Sequence, residues 1–162
     1  MIELVKVETS EIEDLSILAT KIVREHYDPI IGKAQNEYML KKFQSVDGIK
    51  RQIDEGYIFY WAKYDGMDVG FFSFTQKEGK LYISKLYIDK EYRGKKIASA
   101  IIQFLSKEAK RNNLSKIFLN VNKRNFDTIK VYKHLGFELL REEKNPIGND
   151  FYMDDYVYEL SI

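Results

Sequence analysis

The sequence predicts a mixed α/β fold in one domain, residues 1–162: a central mixed sheet, mostly antiparallel, with helices on both faces. Three observations carry that expectation. Apolar residues recur at helical spacing in some segments and alternate at strand spacing in others. The middle of the chain, "YIFYWAKYDGMDVGFFSFTQKEGKLYISKLYID", reads as three strands turned at Asp-Gly and Glu-Gly, hence as an antiparallel meander. No linker, repeat or low-complexity tract interrupts the 162 residues, which suffice for one substantial core.

Taken in order, "MIELVKVE" alternates apolar and polar residues and predicts a first strand. Thr9 or Ser10 can cap the next helix, with Glu11 and Glu13 in the first turn, where the helix dipole favours acids. Ile12, Leu15, Leu18, Ala19, Ile22 and Val23 form one face of that helix, and Pro29 and Gly32 are expected to break it in "HYDPIIG". "AQNEYMLKKFQ" and "VDGIKRQIDEG" predict two shorter helices. After the meander comes a helix from Gly94 to Arg111, then a strand in "SKIFLNVN". "RNFDTIKVYKHLGF" predicts a helix, with Asn125 or Asp127 near its start and Gly136 as its stop signal. "FELLREE" and "FYMDDYVYEL" close the chain as two strands.

Composition narrows the function classes. Hydrophobic residues make up 44% and charged residues 31%, the balance of a folded globular chain. No apolar run approaches the roughly 20 residues of a membrane helix, and the N-terminus lacks a signal-peptide pattern, so a cytoplasmic protein is expected. The absence of cysteine excludes disulfides, thiolate metal sites and a cysteine nucleophile. His26 and His134 lie far apart with no carboxylate at ligand spacing, so no metal site is expected. A net charge of +1 argues against nucleic-acid binding.

The stretch "EYRGKKIASAII", Glu91 to Ile102, sits between an apolar strand and an apolar helix. Gly94 allows a sharp turn and close approach of a ligand, and the first helical amides have no intrahelical partner. With Arg93, Lys95 and Lys96 around it, the junction is a candidate phosphate cradle; the plainer reading is a basic surface turn.

This junction and "RNFDTIKVYKHLGF", together with the element order, resemble the GNAT superfamily of acetyl-CoA-dependent N-acetyltransferases over nearly the whole chain. The family's loop R/Q-x-x-G-x-G/A is matched at Gly94, with Glu91 where Gln or Arg is usual and Lys96 where Gly or Ala is usual. Its pattern N-x-x-A-x-x-x-Y-x-x-x-G-F is matched at Asn125, Tyr132, Gly136 and Phe137, with Ile129 on the packing face.

The resemblance implies a sheet splayed open for acetyl-CoA between the third meander strand and "SKIFLNVN". The pantetheine arm would pair with the backbone of Leu86, Tyr87 and Ile88. The pyrophosphate would sit on Gly94, Lys95, Lys96, Ile97, Ala98 and Ser99, with Arg93 adding charge. Asn125 would bind the arm, its alternative being a helix cap, and Tyr132 would be the general acid, its alternative being an aromatic packing residue.

For the acceptor, the resemblance implies a small-molecule primary amine; charge and hydropathy lead to the expectation of no nucleic-acid and no membrane partner, and a homodimer is compatible with the reading. Glu25, His26 and Asp154 are the candidate substrate-binding residues, with Asp28, Asp150 and Asp155 able to add negative charge suited to a cation such as a polyamine. Solvated turn acids are the plainer reading. Glu25, His26 or an acid acting through water are the candidates for the base. The alternatives are acetylation of a protein N-terminus or lysine, and a non-catalytic acetyl-CoA-binding regulatory module.

Overall fold

The computed structural model describes residues 1–162. Its elements are β1 (Ile2–Lys6), α1 (Ile12–Ile31), α2 (Lys33–Met39), α3 (Val46–Asp54), β2 (Ile58–Tyr64), β3 (Met67–Lys77), β4 (Lys80–Ile88), α4 (Ile97–Arg111), β5 (Lys116–Asn122), α5 (Phe126–His134), β6 (Glu138–Gly148) and β7 (Phe151–Ser161). The strands form one sheet in the order β1-β2-β3-β4-β5-β7-β6, mostly antiparallel, with β4 and β5 parallel. The expected mixed sheet is therefore observed. The chain divides into two compact units, Met1–Thr75 with Lys85–Ile102, and Gln76–Ser84 with Gln103–Ile162.

In the first unit, Ile12, Leu15 and Ala19 of α1 and Ile49 of α3 pack with Phe59, Trp61 and Phe71 of the sheet. Leu18, read as part of the same helix face, is only partly buried at its edge. Neither Thr9 nor Ser10 caps α1. The chain enters it through a 3-10 turn, Thr9–Glu11, closed by the Glu8 amide donating to the Glu11 carboxylate at 2.9 Å. Pro29 does not break α1 either. It lies in the last turn, where a missing N–H forfeits one bond, and the helix ends at Ile31 because Gly32 takes φ 86°.

"AQNEYMLKKFQ" is not one helix: α2 widens after Met39 into a π turn, Leu40–Gln44. Side chains from elsewhere take the carbonyls that this turn frees. Ser45 Oγ donates to Lys41 O (2.7 Å), an Arg51 guanidinium nitrogen to Lys42 O (2.7 Å), Lys85 Nζ to Phe43 O (2.6 Å) and Ser16 Oγ to Gln44 O (2.7 Å). Gly48 is needed beneath the turn, since a Cβ there would meet Lys42 O at 2.6 Å.

In the second unit, β5 and β6 flank β7, with Leu119 opposite Tyr158 and Val121 opposite Tyr156. The β6–β7 hairpin turns at Asn149 and Asp150, both with positive φ. β6 reaches Gly148, beyond the expected "FELLREE", and tolerates Pro146 because it is an edge strand. Gly136 (φ 100°) ends α5 as its sequence position requires.

Lys85 gives a testable consequence. Burial pushes its ammonium down to about 7, with repulsion from Arg51 adding to the effect. The unfolded lysine keeps its proton to ~10.4, so between these values the unfolded chain binds more protons and stability rises with pH. Urea unfolding of wild type and Lys85→Met across pH 7 to 10 should show this rise lost in the variant; equal slopes would show that Lys85 stays charged.

Candidate active site

β4 ends at Ile88, and the next residue, Asp89, still donates its amide to Val69 O at 2.8 Å. The buried Asp89 carboxylate accepts from the Glu91 amide (3.1 Å) and from Lys21 Nζ (3.0 Å). Burial alone would raise its pKa, but these two donors outweigh burial and hold it below the usual carboxylate range. The chain then makes a 3-10 turn, Lys90–Tyr92, and reaches Gly94 (φ 77°) and Lys96 (φ 64°). A right-handed helix cannot contain these angles, so α4 begins at Ile97 and not at Gly94.

The twist leaves a run of free donors. Ala100 N donates to Lys96 O at 3.1 Å, whereas the amides of Gly94, Lys95, Lys96, Ile97, Ala98 and Ser99 find no backbone acceptor. Ile97 is buried and pins the helix start, while Arg93 through Lys96 are exposed. Nothing lies within 4 Å of a Cβ built on Gly94, so this glycine serves its angle and open access. Lys95 Nζ lies 5.3 Å from the Tyr64 ring centroid. Arg93 folds back, Nε donating to Ile88 O at 3.3 Å.

That bond bears on the strand expected to receive the pantetheine arm. Ile88 O accepts from Arg93, and Tyr87 O lies toward Gly70 of β3. The β4–β5 ladder pairs Leu81–Ile83 with Ile117–Leu119, and β4 runs on to Ile88. The burial alternation of β4 breaks at Leu86 and Tyr87. Gly70 of β3 permits this: a Cβ there would meet Tyr87 O at 2.4 Å. The Tyr87 ring packs on Phe71 (5.4 Å) and on Tyr27 of α1 (6.0 Å).

In the second unit, Asn125 is buried at the start of α5, and its side chain makes no capping bond to the helix. Its carbonyl accepts from Ile129 N (3.1 Å). Tyr132 is buried on α5, edge-on to Phe137 at 5.3 Å, whose amide donates to Tyr132 O (3.0 Å). His134 is exposed at the end of the same helix.

A family model described as acetyltransferase (GNAT) family matches residues 21–137, which include the amide cradle, Asn125 and Tyr132. This chain belongs to the GNAT acetyltransferase family. GNAT enzymes are acyltransferases with acetyl-CoA as co-substrate. Among solved GNAT structures, the N-acetyltransferase PaiA of Thermoplasma acidophilum in complex with coenzyme A has a TM-score of 0.83 at 21% identity, covering 100% of this chain and 99% of that one. A GNAT-family acetyltransferase of Staphylococcus aureus has a TM-score of 0.76 at 18% identity, covering 99% of each chain. A Bacillus subtilis subsp. natto protein named "Probable spermine N(1)-acetyltransferase" is 30% identical over 87 residues, 46% of this chain and 55% of its own length. The match thus spans about half of that curated relative.

This GNAT chain departs from the family loop at two positions, and the structure accounts for both. Lys96 holds the left-handed angle that explains a preference for glycine at its position, and its side chain is exposed. Glu91 contributes its amide to Asp89, which any residue there could do.

Two of the candidate acceptor acids, Asp28 and Asp154, already have partners. Asp28 accepts from Asn36 Nδ2 (2.7 Å), and Glu37 takes both Arg24 nitrogens (2.8 and 3.0 Å). Asp154 pairs with Lys123 at 3.0 Å. Glu25 and His26 lie on α1 itself, not in a loop; Glu25 is exposed and His26 meets Tyr27 edge-on at 4.8 Å. Tyr27, absent from the sequence candidates, is an α1 residue that contacts β4. Asp89 was also missed, although an Asp between an apolar strand and "KEY" is a turn-capping signal. No helix of this GNAT chain is long and apolar enough to cross a membrane.

Gly94→Asp tests the cradle. Aspartate tolerates positive φ better than most residues and the position is open, so the fold should survive. Its charge would stand where a pyrophosphate approaches. Calorimetry should show acetyl-CoA affinity at least about tenfold weaker. Unchanged affinity in a folded variant would remove the phosphate role.

Proposed function

We propose that this chain transfers the acetyl group of acetyl-CoA to the primary amine of a small cationic acceptor, by direct attack. The observation that carries the reading is the run of unpaired amides from Gly94 to Ser99 among basic side chains. These donors suit the two negative phosphates of coenzyme A. Lys95 and Lys96 add counter-charge, and Leu86 and Tyr87 offer strand backbone to the pantetheine amides. The partial relative named for spermine acetylation favours a polyamine-like acceptor.

In this reading the neutral amine nitrogen attacks the thioester carbonyl, the C–S bond breaks, and the amine sheds one proton. Tyr132 donates its phenolic proton to the departing thiolate and recovers one from solvent. Its burial against Phe137 fixes the ring, which suits an acid that must hold one geometry. Asn125, buried at the α5 start, donates from there to the pantetheine arm.

Coenzyme A release measured over polyamines, aminoglycosides, amino acids and peptides tests the function. Turnover should be greatest with small polycationic amines. Tight acetyl-CoA binding without turnover on any amine would identify a regulatory module instead. Tyr132→Phe keeps the ring and removes the acid, so kcat should fall by up to ~10²-fold with the acetyl-CoA dissociation constant nearly unchanged. A folded variant turning over at the wild-type rate would make Tyr132 a packing residue.

A further inference from the structure

A cavity of about 200 Å³ lies wholly within the second unit, between the β3–β4 hairpin tip and the β5–β7–β6 strands. It is smaller than the ~300–1,000 Å³ that encloses a whole drug-sized ligand, so it suits one chemical group. Tyr82 and Phe118 line it, their ring centroids 4.8 Å apart, as opposed residues of the parallel ladder. Asp155 also lines it, although the residue is only 3% exposed. Asp154, one residue earlier, points to the opposite face of β7, toward Lys123.

The charge pattern is lopsided. Glu142 and Asp154 share Lys123, Glu143 has Arg141 at 2.7 Å, and Glu159 has Lys116 at 3.1 Å. Asp155 makes no ion pair. Across the strand pair it stands opposite Glu143, a like charge that Arg141 offsets only in part. A cation is already close by. Lys77, exposed beside the Glu78–Gly79 turn, lines the cavity and holds its Nζ 4.9 Å from the Tyr82 centroid.

We infer that this cavity binds a compact alkylammonium group, with Asp155 as counter-ion and the Tyr82 and Phe118 rings as its walls, and that Lys77 is a built-in occupant which the ligand displaces. The inference deepens the cationic-acceptor reading and rests on it for the ligand's role in catalysis, but not for binding. Burial raises the Asp155 carboxyl to about 6; the charges of Asp154 and Glu143 add to this, and the Asn120 amide and Lys123 oppose it. Arg141, Lys77 and Glu78 complete the charged surroundings of the cavity. An ammonium ligand should therefore bind more tightly as pH rises from 5 to 7.

The test is an NMR titration with 1,4-diaminobutane, without acetyl-CoA, following the Tyr82 and Phe118 rings, with 1,4-butanediol as the uncharged control. Wild type should saturate with the diamine and not with the diol. Asp155→Asn should weaken binding about tenfold or more and abolish its pH dependence, and Lys77→Ala, at an exposed site, should tighten it several-fold. Equal affinity in wild type and folded Asp155→Asn would overturn the proposal, as would equal response to the diol. Weaker or unchanged binding in Lys77→Ala would overturn the displaced-lysine element. Diamine turnover is scored separately. Asp155-dependent binding without turnover would remove the acceptor reading and keep the cavity, whereas turnover with Asp155-independent binding would do the reverse.

Discussion

The carboxylate of Asp89 fixes where β4 stops being a strand, and the candidate cofactor site depends on that stop. Its amide still belongs to the sheet through Val69, while its side chain already belongs to the turn through the Glu91 amide. Lys21 of α1 neutralises it and ties the turn to the helix layer. From this anchor the backbone can pass through two left-handed residues, Gly94 and Lys96, before Ile97 locks into the core. A left-handed lysine costs on the order of 1 kcal/mol, small enough for the surrounding bonds to hold it. The return is a row of amides facing solvent, which water satisfies at little cost and an oxyanion satisfies better.

The same unit treats its other polar groups in the opposite way. Four carbonyls of the π turn, those of Lys41 to Gln44, are each taken by a side chain, and the acids Glu37 and Asp28 by Arg24 and Asn36. Lys85 is the costly member of this set, a lysine buried beside Phe59 to satisfy one carbonyl and the Gln44 amide oxygen. Wide helical turns recur at functional sites, and this one is held rigid from several directions. Against that background, two features stand out: the Gly94–Ser99 amides, which have no backbone acceptor, and the Asp155 carboxylate, which has the Asn120 amide but no ion pair.

Element types were legible because periodicity is dense here, and the Asp-Gly and Glu-Gly turns fell where positive φ is observed at Asp65, Gly66, Glu78 and Gly79. The failures have local causes. Pro29 was read as a breaker, but a proline in the last turn costs only one bond. The π turn was invisible because its stabilising donors Ser16, Arg51 and Lys85 are distant in sequence. In the candidate site, motif spacing singles out Gly94, Asn125 and Tyr132, whereas the bond from Arg93 to Ile88 O depends on the turn geometry and has no sequence signal. Lys85 had a signal, since Leu81, Ile83 and Lys85 alternate on the buried face of β4. Asp155 had none: side-by-side acids on a strand face opposite ways, and only register tells which one is buried.

The central claim is that the Gly94–Ser99 amides are the anion-binding surface of this GNAT protein. Amide NMR during titration with coenzyme A tests it most directly, residue by residue and without any substitution. The account predicts that these amides shift downfield more than any others and become protected from exchange as the site fills. Saturable coenzyme A binding that leaves them unshifted and freely exchanging would contradict it.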